Sequence, residues 1–202
     1  HNILDATSAE NVVYAFTYDS FGNPLTSKIK DAAGTTVINS NATYTTDGNY
    51  IKEVEDSEGN KVSYSYNSTK GTLDKLTDAN GSETNYVYDD LDRLTQVSKK
   101  ESSAQDAKTI TNSYGYEDDK IKTITHNGFS YSFGYDSFGN NTTVSVGTQK
   151  LIENTYNLVS GKLLYSTYGN GHKVSYDYDD LDRVTAEKYN DVVKFKYEYD
   201  GS

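Results

Sequence analysis

The chain lacks several residue types that build common cores and sites. Among its 202 residues there is no Cys, no Met and no Trp, and there is one Pro. The absence of Cys excludes a disulfide framework, thiol catalysis and thiolate metal sites. Hydrophobic residues make up only 34% of the chain. No apolar run approaches the roughly 20 residues that a membrane-spanning helix needs, so membrane insertion is not predicted.

Basic residues are also scarce. There are 19 Lys and Arg against 30 Asp and Glu, which gives a net charge of −11. Such a surface repels phosphate backbones, so nucleic-acid binding is not expected. Aromatic residues, by contrast, are abundant, with 20 Tyr and 6 Phe. Disordered chains are poor in aromatics, so we predict an ordered protein whose core is built largely from tyrosine rings.

One motif recurs along the chain. The stretch YVYDDLDRLT at Tyr86–Thr95 returns as YDYDDLDRVT at Tyr176–Thr185, and YDSFGN occurs at both Tyr18–Asn23 and Tyr135–Asn140. Taking the last Tyr of each copy as its anchor gives units of 22 to 23 residues on average. This period is typical of tandem arrays. The anchors are Tyr18, Tyr44, Tyr66, Tyr88, Tyr116, Tyr135, Tyr156, Tyr178 and Tyr199.

Each unit contains two turn signals. Asp follows the best anchors, as in Asp89–Asp92, and Gly or Asp closes the turn where a positive φ is often required. A second turn follows half a unit later, for example at Asn127-Gly128, a strong hairpin signal. Two turns per unit predict two strands per unit. The predicted fold is therefore all-β: tandem hairpins in a continuous curved antiparallel sheet, with more than half of the residues in strands.

The strands carry different apolar patterns. Aromatics two residues apart, such as Tyr86 and Tyr88, share one face of a strand. Stacking of units would align them as buried aromatic ladders, so replacing Tyr88 or Tyr178 by Ala is expected to cost about 3–5 kcal/mol. The following strand carries aliphatics three apart, such as Leu94 and Val97. That spacing indicates either a bulge or a strand that is apolar on both faces.

The array accounts for most of the chain. Residues 1–15 are interpreted as a leader or edge segment, and residues 16–202 as about nine units with the last one truncated. The polar segment Lys99–Lys108 is expected to be an extended loop, with room for one helical turn. Because the chain begins at His1 without Met, we interpret it as a piece of a longer protein.

Candidate sites are weak. Most carboxylates occupy the same turn position in successive units, which favours a folding role over acid–base catalysis. No twelve-residue calcium loop occurs, so no metal site and no cofactor is predicted, and the three His are expected to be exposed residues, with His126 and His172 bordering turns. Clustered turn carboxylates are the weak calcium candidates: Asp89, Asp90, Asp92, Asp179, Asp180 and Asp182.

The pattern Tyr-x-Tyr-Asp-x-x-Gly-Arg/Asn-Leu, at this spacing, resembles the YD repeat of the RHS family. That family includes bacterial Rhs and wall-associated proteins, toxin-complex shell proteins and teneurins. At Asp92 and Asp182 the turn Gly of the family is replaced by Asp, and no Asp-Pro self-cleavage motif occurs. The resemblance implies a sheet that spirals into a shell around a C-terminal toxin or effector, in a secreted or cell-wall-associated protein.

These observations lead to a functional hypothesis. We expect a non-enzymatic, structural and encapsulating segment of a large extracellular or cell-surface bacterial protein. Its partners would be the rest of the parent chain, meaning further repeats and a C-terminal effector. The alternative is an adhesion module that binds carbohydrate or a receptor, with cell-surface glycans as partners. Aromatic rings can form sugar platforms, but their recurrence in every unit favours a structural role.

Overall fold

The structure is a computed structural model that describes residues 2–104 and 106–200. The chain divides into two compact units, residues 1–110 and 111–202. Over these described residues the chain forms strands and turns but no helix, and more than half of the chain is in strands. No helix there is available to cross a membrane.

The first unit is an antiparallel meander. Each strand pairs with the next along the chain through a short turn. Its strands are β1 (Asp5–Thr7), β2 (Val13–Tyr18), β3 (Pro24–Lys30), β4 (Thr36–Tyr44), β5 (Ile51–Glu55), β6 (Lys61–Tyr66), β7 (Leu73–Thr77), β8 (Glu83–Tyr88) and β9 (Leu94–Lys100).

The second unit repeats this arrangement. Its strands also pair antiparallel in chain order. They are β10 (Thr109–Glu117), β11 (Lys120–His126), β12 (Phe129–Tyr135), β13 (Asn141–Val146), β14 (Gln149–Tyr156), β15 (Leu163–Tyr168), β16 (Lys173–Tyr178), β17 (Val184–Tyr189) and β18 (Val192–Lys196).

The prediction of tandem antiparallel hairpins is confirmed in both units. Seven of the nine anchors, including Tyr88 and Tyr178, are the last residue of a strand. The segment 1–15 contributes strand β1, which pairs with β2. The predicted loop at Lys99–Lys108 is shorter than expected, because β9 continues to Lys100.

A bulge accompanies each anchor from Tyr18 to Tyr178. The register shifts between the anchor and the residue before it. In β8 and β9, Tyr88 lies opposite Leu94 and Tyr86 opposite Val97, which leaves Thr95 as the extra residue. The bulge therefore brings two aliphatic side chains three residues apart opposite two tyrosines on one face. This confirms the bulge interpretation of that spacing.

The anchors also join successive repeats through their hydroxyl groups. The Tyr178 hydroxyl donates to the Leu163 carbonyl at 2.8 Å, and Leu163 lies opposite the preceding anchor, Tyr156. A bulge interrupts the ladder, so nearby backbone groups need other partners, and the hydroxyl supplies one. The same bond runs from Tyr18 to Ile3, Tyr44 to Pro24, Tyr88 to Leu73, Tyr135 to Ile121, Tyr156 to Asn141 and Tyr199 to Val184.

The expectation of a buried aromatic core is wrong. Among the described residues only Ser82, Ser166 and Ala186 are buried, while Tyr88 and Tyr178 are half-buried. The accessible surface of the chain is 13560 Å², against roughly 9,500 Å² for a typical folded monomer of this mass. The physical reason is that strands of one sheet lie side by side, so a tyrosine is covered by neighbouring strands but not by a facing layer.

Half-burial lowers the expected cost of removing an anchor ring. Tyr88→Ala and Tyr178→Ala should each lower the free energy of unfolding by about 2–3 kcal/mol, from partial loss of apolar burial and of one hydrogen bond. Urea unfolding measures this value. Tyr168→Ala is the matched control, because Tyr168 is 42% exposed and is not an anchor. An equal loss in the control would contradict the special role of the anchors.

Candidate functional site

The turns that follow the anchors, here called anchor-side turns, hold most of the candidate residues. In Asp89–Arg93 the Asp89 Oδ1 accepts the backbone N–H groups of Leu91 and Arg93, both at 2.9 Å. The Arg93 Nε donates to Asp89 Oδ2 at 2.8 Å. The same two backbone bonds to Asp recur in the turns that begin at Asp19, Asp31, Asp56, Asp78, Asp136 and Asp179.

The fourth turn position has a left-handed backbone, as the sequence predicted. Gly22 has φ +91°, while Asp92 and Asp182 have φ 59° and 71°. At these two positions, where Asp stands in place of the Gly of the repeat, the Asp side chain forms an ion pair with a lysine. The Lys70 Nζ lies 2.7 Å from Asp92 Oδ1, and Lys162 pairs with Asp182. In both cases the Lys comes from the preceding anchor-side turn, so the Asp joins consecutive repeats.

The turn geometry keeps these carboxylates ionised. The backbone N–H of Arg93 lowers the pKa of Asp89, and that of Arg183 lowers the pKa of Asp179. At Asp136 the side-chain amide of Asn140 lowers the pKa. A general acid needs the opposite shift, toward a raised pKa. The arrangement thus suits turn formation and not proton donation.

The calcium candidates do not converge on one point. Asp89 and Asp179 accept hydrogen bonds within their own turns, and Asp92 and Asp182 pair with lysines. Within the described part of the chain, the side chains of Asp90 and Asp180 make no hydrogen bond or ion pair. Across residues 2–104 and 106–200, no three His, Cys, Asp or Glu side chains are grouped so that they could hold a metal ion.

The histidines lie beside turns. His126 Nδ1 is 2.6 Å from Asn112 Oδ1, and His172 Nδ1 is 3.0 Å from Asn190 Nδ2. Each imidazole thus contacts an asparagine side chain. Asn112 lies in β10, and Asn190 lies in the turn after β17. His1 lies outside the described residues.

Neighbouring anchor-side turns of the first unit contact one another. The Asn23 Nδ2 donates to the Gly48 carbonyl at 2.8 Å. The Phe21 ring lies so close that a Cβ on Gly48 would be 2.5 Å from it. Likewise, a Cβ on Gly71 would lie 2.3 Å from the Tyr50 hydroxyl. Glycine is required at both positions because each also has a positive φ.

A groove opens where the turns 45–50 and 67–71 meet strand β6. Its volume is about 550 Å³. The Tyr50 ring stacks on the ring of anchor Tyr66, with centroids 4.8 Å apart and planes 25° apart. Tyr64, Asp47, Asn49, Lys52 and Lys70 also line the groove.

Sequence reasoning missed Tyr50. It lies outside the strand pairs of aromatics, directly after the turn residues Asp47-Gly48-Asn49. This position could have identified Tyr50 from the sequence, because the repeat does not require an aromatic residue directly after that turn. Its contact with Tyr66 could not be read from the sequence, because it depends on how two consecutive turns approach each other.

Acidification should destabilise the fold through the turn carboxylates. The folded-state pKa of Asp179 is lowered from an unfolded value of about 3.9. Its contribution is therefore present above pH ~4 and lost as pH falls through the folded pKa. In thermal unfolding between about pH 6 and 2, Asp179→Asn should show a smaller loss of melting temperature than wild type. Asp180→Asn, outside that hydrogen-bond set, should follow wild type; identical curves for all three would refute this origin.

Calcium should not affect stability. We expect the melting temperature to be the same in chelator and in millimolar Ca²⁺, because Asp89, Asp92, Asp179 and Asp182 already have hydrogen-bond or ion-pair partners. A ligand of the native state raises the melting temperature. A rise of several degrees with Ca²⁺ that disappears in Asp89→Asn would show that these turns bind the ion after all.

Comparison with known proteins agrees with this architecture. No protein-family model matches the chain. A curated relative, the tRNA3(Ser)-specific nuclease WapA of Bacillus spizizenii, is 29% identical over 203 residues, which is 98% of this chain and 8% of that protein. The chain thus spans a small part of its relative.

Solved structures share the fold. TcdB2-TccC3 without its hypervariable C-terminal region matches 93% of this chain and 12% of that chain, with TM-score 0.64 and 17% identity. The Photorhabdus luminescens Tc holotoxin pore matches the same shares with TM-score 0.65 and 17% identity. The periodic anchors, their hairpins and these likenesses agree. The fold of these solved structures thus supports the resemblance of the chain to YD repeats.

Proposed function

We propose that the chain is a structural, encapsulating YD-repeat segment of a large extracellular or cell-surface bacterial protein, within a shell that carries a C-terminal toxin or effector domain. The observation that carries the proposal is that the tyrosine hydroxyls and turn carboxylates of the chain form bonds that hold the fold together. The anchor hydroxyls bond to backbone carbonyls of the preceding repeat, and the turn carboxylates bond to backbone N–H groups and lysines. Groups that could perform chemistry instead hold repeats together.

The relatives support the same role. WapA is named as a nuclease, and the chain resembles only 8% of it. The TcdB2-TccC3 protein carries a hypervariable C-terminal region outside the solved part. A segment that corresponds to a small share of a nuclease and of a toxin-complex protein suits a role as the carrier of another domain. We propose accordingly that this segment is not itself an enzyme.

Exposed apolar side chains at the anchor-side turns also support contact with the rest of a parent chain. Comparable five-residue turns half a unit later have Ala33, Glu58 and Asn80 at the third position, so turn geometry does not demand an apolar residue there. An exposed apolar side chain that recurs at one turn position in several repeats suits contact with a neighbouring part of a parent chain. Four anchor-side turns expose between 63% and 72% of such a side chain: Phe21, Leu91, Phe138 and Leu181.

A protease-protection experiment on the parent protein tests the proposal. Antibodies against this chain should detect it in the culture medium or cell-wall fraction of its source organism, within a protein much larger than 22.5 kDa. Limited proteolysis of that protein should spare the C-terminal effector. The Tyr88→Ala, Tyr178→Ala double variant should expose the effector to cleavage, whereas Tyr168→Ala should not.

Two outcomes would refute the proposal. One is a parent protein confined to the cytoplasm. The other is an effector that is cleaved equally fast in wild type and in the anchor variant. The observation that favours a second candidate function, carbohydrate binding, is the groove beside Tyr50.

A further inference from the structure

The second unit exposes apolar side chains on three consecutive anchor-side turns. Phe138, in the first of these turns, is 70% exposed, and Leu181, in the last, is 72% exposed. The middle turn exposes 76% of Leu158 and 98% of Val159. These four residues are here called the apolar turn patch. In the described part of the chain, no other large hydrophobic side chain is as exposed as Val159.

Formation of the middle turn does not require apolar residues. The turns 67–72 and 157–162 share one backbone arrangement, in which the first residue closes the turn with its N–H group. In both turns the side-chain oxygen of that residue, an Asn, accepts two backbone N–H groups. The next two residues are Ser68 and Thr69 in the first unit but Leu158 and Val159 in the second. The apolar pair therefore has to be explained by something other than turn geometry.

The three turns of the patch adjoin one another. Lys162, at the end of the middle turn, pairs with Asp182 in the last turn. On the other side, Tyr156 directly precedes the middle turn, and its hydroxyl donates at 3.1 Å to the carbonyl of Asn141, which directly follows the first turn. The exposed apolar residues thus lie on neighbouring turns with polar residues around them. An exposed apolar patch with a polar rim is typical of an interaction site.

The charge of these turns favours a basic partner. Residues 136–140, 157–162 and 179–183 contain four Asp against one Lys and one Arg, so their net charge is −2 (2 − 4). Both cations already form ion pairs with Asp residues of the same turns. Over the described residues, Asp136 and Asp180 form no ion pair. Two carboxylates beside the patch are therefore available to cations of a partner.

We propose that the apolar turn patch docks a basic amphipathic segment from another part of the parent protein. Apolar side chains of that segment cover Leu158 and Val159, and its Lys or Arg residues pair with Asp136 and Asp180. A second copy of the chain suits the patch less well, because each copy carries −11 and the copies repel each other. This inference rests on the proposed function and deepens it, since it names the chemistry of the partner and the turns that receive it.

Fluorescence anisotropy with a labelled synthetic peptide tests the chemistry of the patch. The probe is LKKLLKKL, and the chain is titrated to about 1 mM, which covers Kd values up to that order. LKKLLKKL should bind saturably and roughly tenfold more tightly than LEELLEEL or SKKSSKKS, which lack its positive charge or its apolar side chains. The double variant Leu158→Ser, Val159→Thr carries the residues of the turn 67–72. It should keep the melting temperature of wild type and weaken binding roughly tenfold or more.

Two control variants separate the patch from general exposure and charge. Val37→Thr removes an apolar side chain that is 54% exposed in the first unit, and it should bind as wild type. Asp180→Asn should weaken binding of LKKLLKKL, whereas Asp90→Asn, the same charge change in the first unit, should not. The proposal would be overturned by equal effects of the patch and control variants, by equal binding of the three peptides, or by no binding to wild type.

Photo-crosslinking in the parent protein identifies the occupant of the patch. Benzoylphenylalanine in place of Val159 should crosslink to a Lys- or Arg-rich segment of the same polypeptide, which mass spectrometry identifies. The same group in place of Thr69 should not. Crosslinks from position 159 to a second copy, to lipid or to a separate protein would overturn the proposal. An effector that stays protected from protease while the peptide fails to bind would remove this docking surface and leave the scaffold role intact.

Discussion

The hydrogen bond from an anchor tyrosine to the carbonyl opposite the preceding anchor is the interaction on which the array depends. Within each unit the strands form one layer, and only three described residues are buried. Such a layer gains little from a conventional core. One such bond is worth only about 1 kcal/mol, but it recurs from repeat to repeat. Stability in an array of this kind accumulates through nearest-neighbour contacts.

The anchor, the bulge and the Asp turn act together at one place. The bulge interrupts the strand ladder beside the anchor, and the turn begins one residue later, with Asp accepting two backbone N–H groups. This constraint explains why Tyr-Asp recurs in the best copies of the repeat. Residues that depart from the regular repeat can therefore be recognised and their contacts compared with it. Asp92 has Lys70 as partner, and Tyr50 lies on Tyr66, so each departure creates a contact absent from the regular repeat.

Local features of the fold were predictable from sequence, because they follow from spacing along one strand or turn. The period of Tyr predicted the anchors, and Asp and Gly predicted the turns. The three-residue spacing of Leu94 and Val97 predicted either a bulge or a strand apolar on both faces, and the structure shows the bulge. Burial was not predictable, since an alternating strand reads the same with or without a facing layer. The carbonyl that each anchor hydroxyl bonds to, and the groove at Tyr50, depend on contacts between units about 20 residues apart. The sequence does not show how such units align with each other.

Removal of single hydroxyl groups tests the central claim most directly. Free energies of unfolding should be measured for Tyr→Phe variants at Tyr88, Tyr156 and Tyr178. Tyr66→Phe is the internal comparison, because the Tyr66 hydroxyl makes no hydrogen bond within the described part of the chain. The account predicts a loss of about 0.5–1.5 kcal/mol at each of the three bonded anchors and no loss at Tyr66. Equal values at all four positions would contradict it, because the hydroxyl-to-carbonyl bond would then not be what joins one repeat to the next.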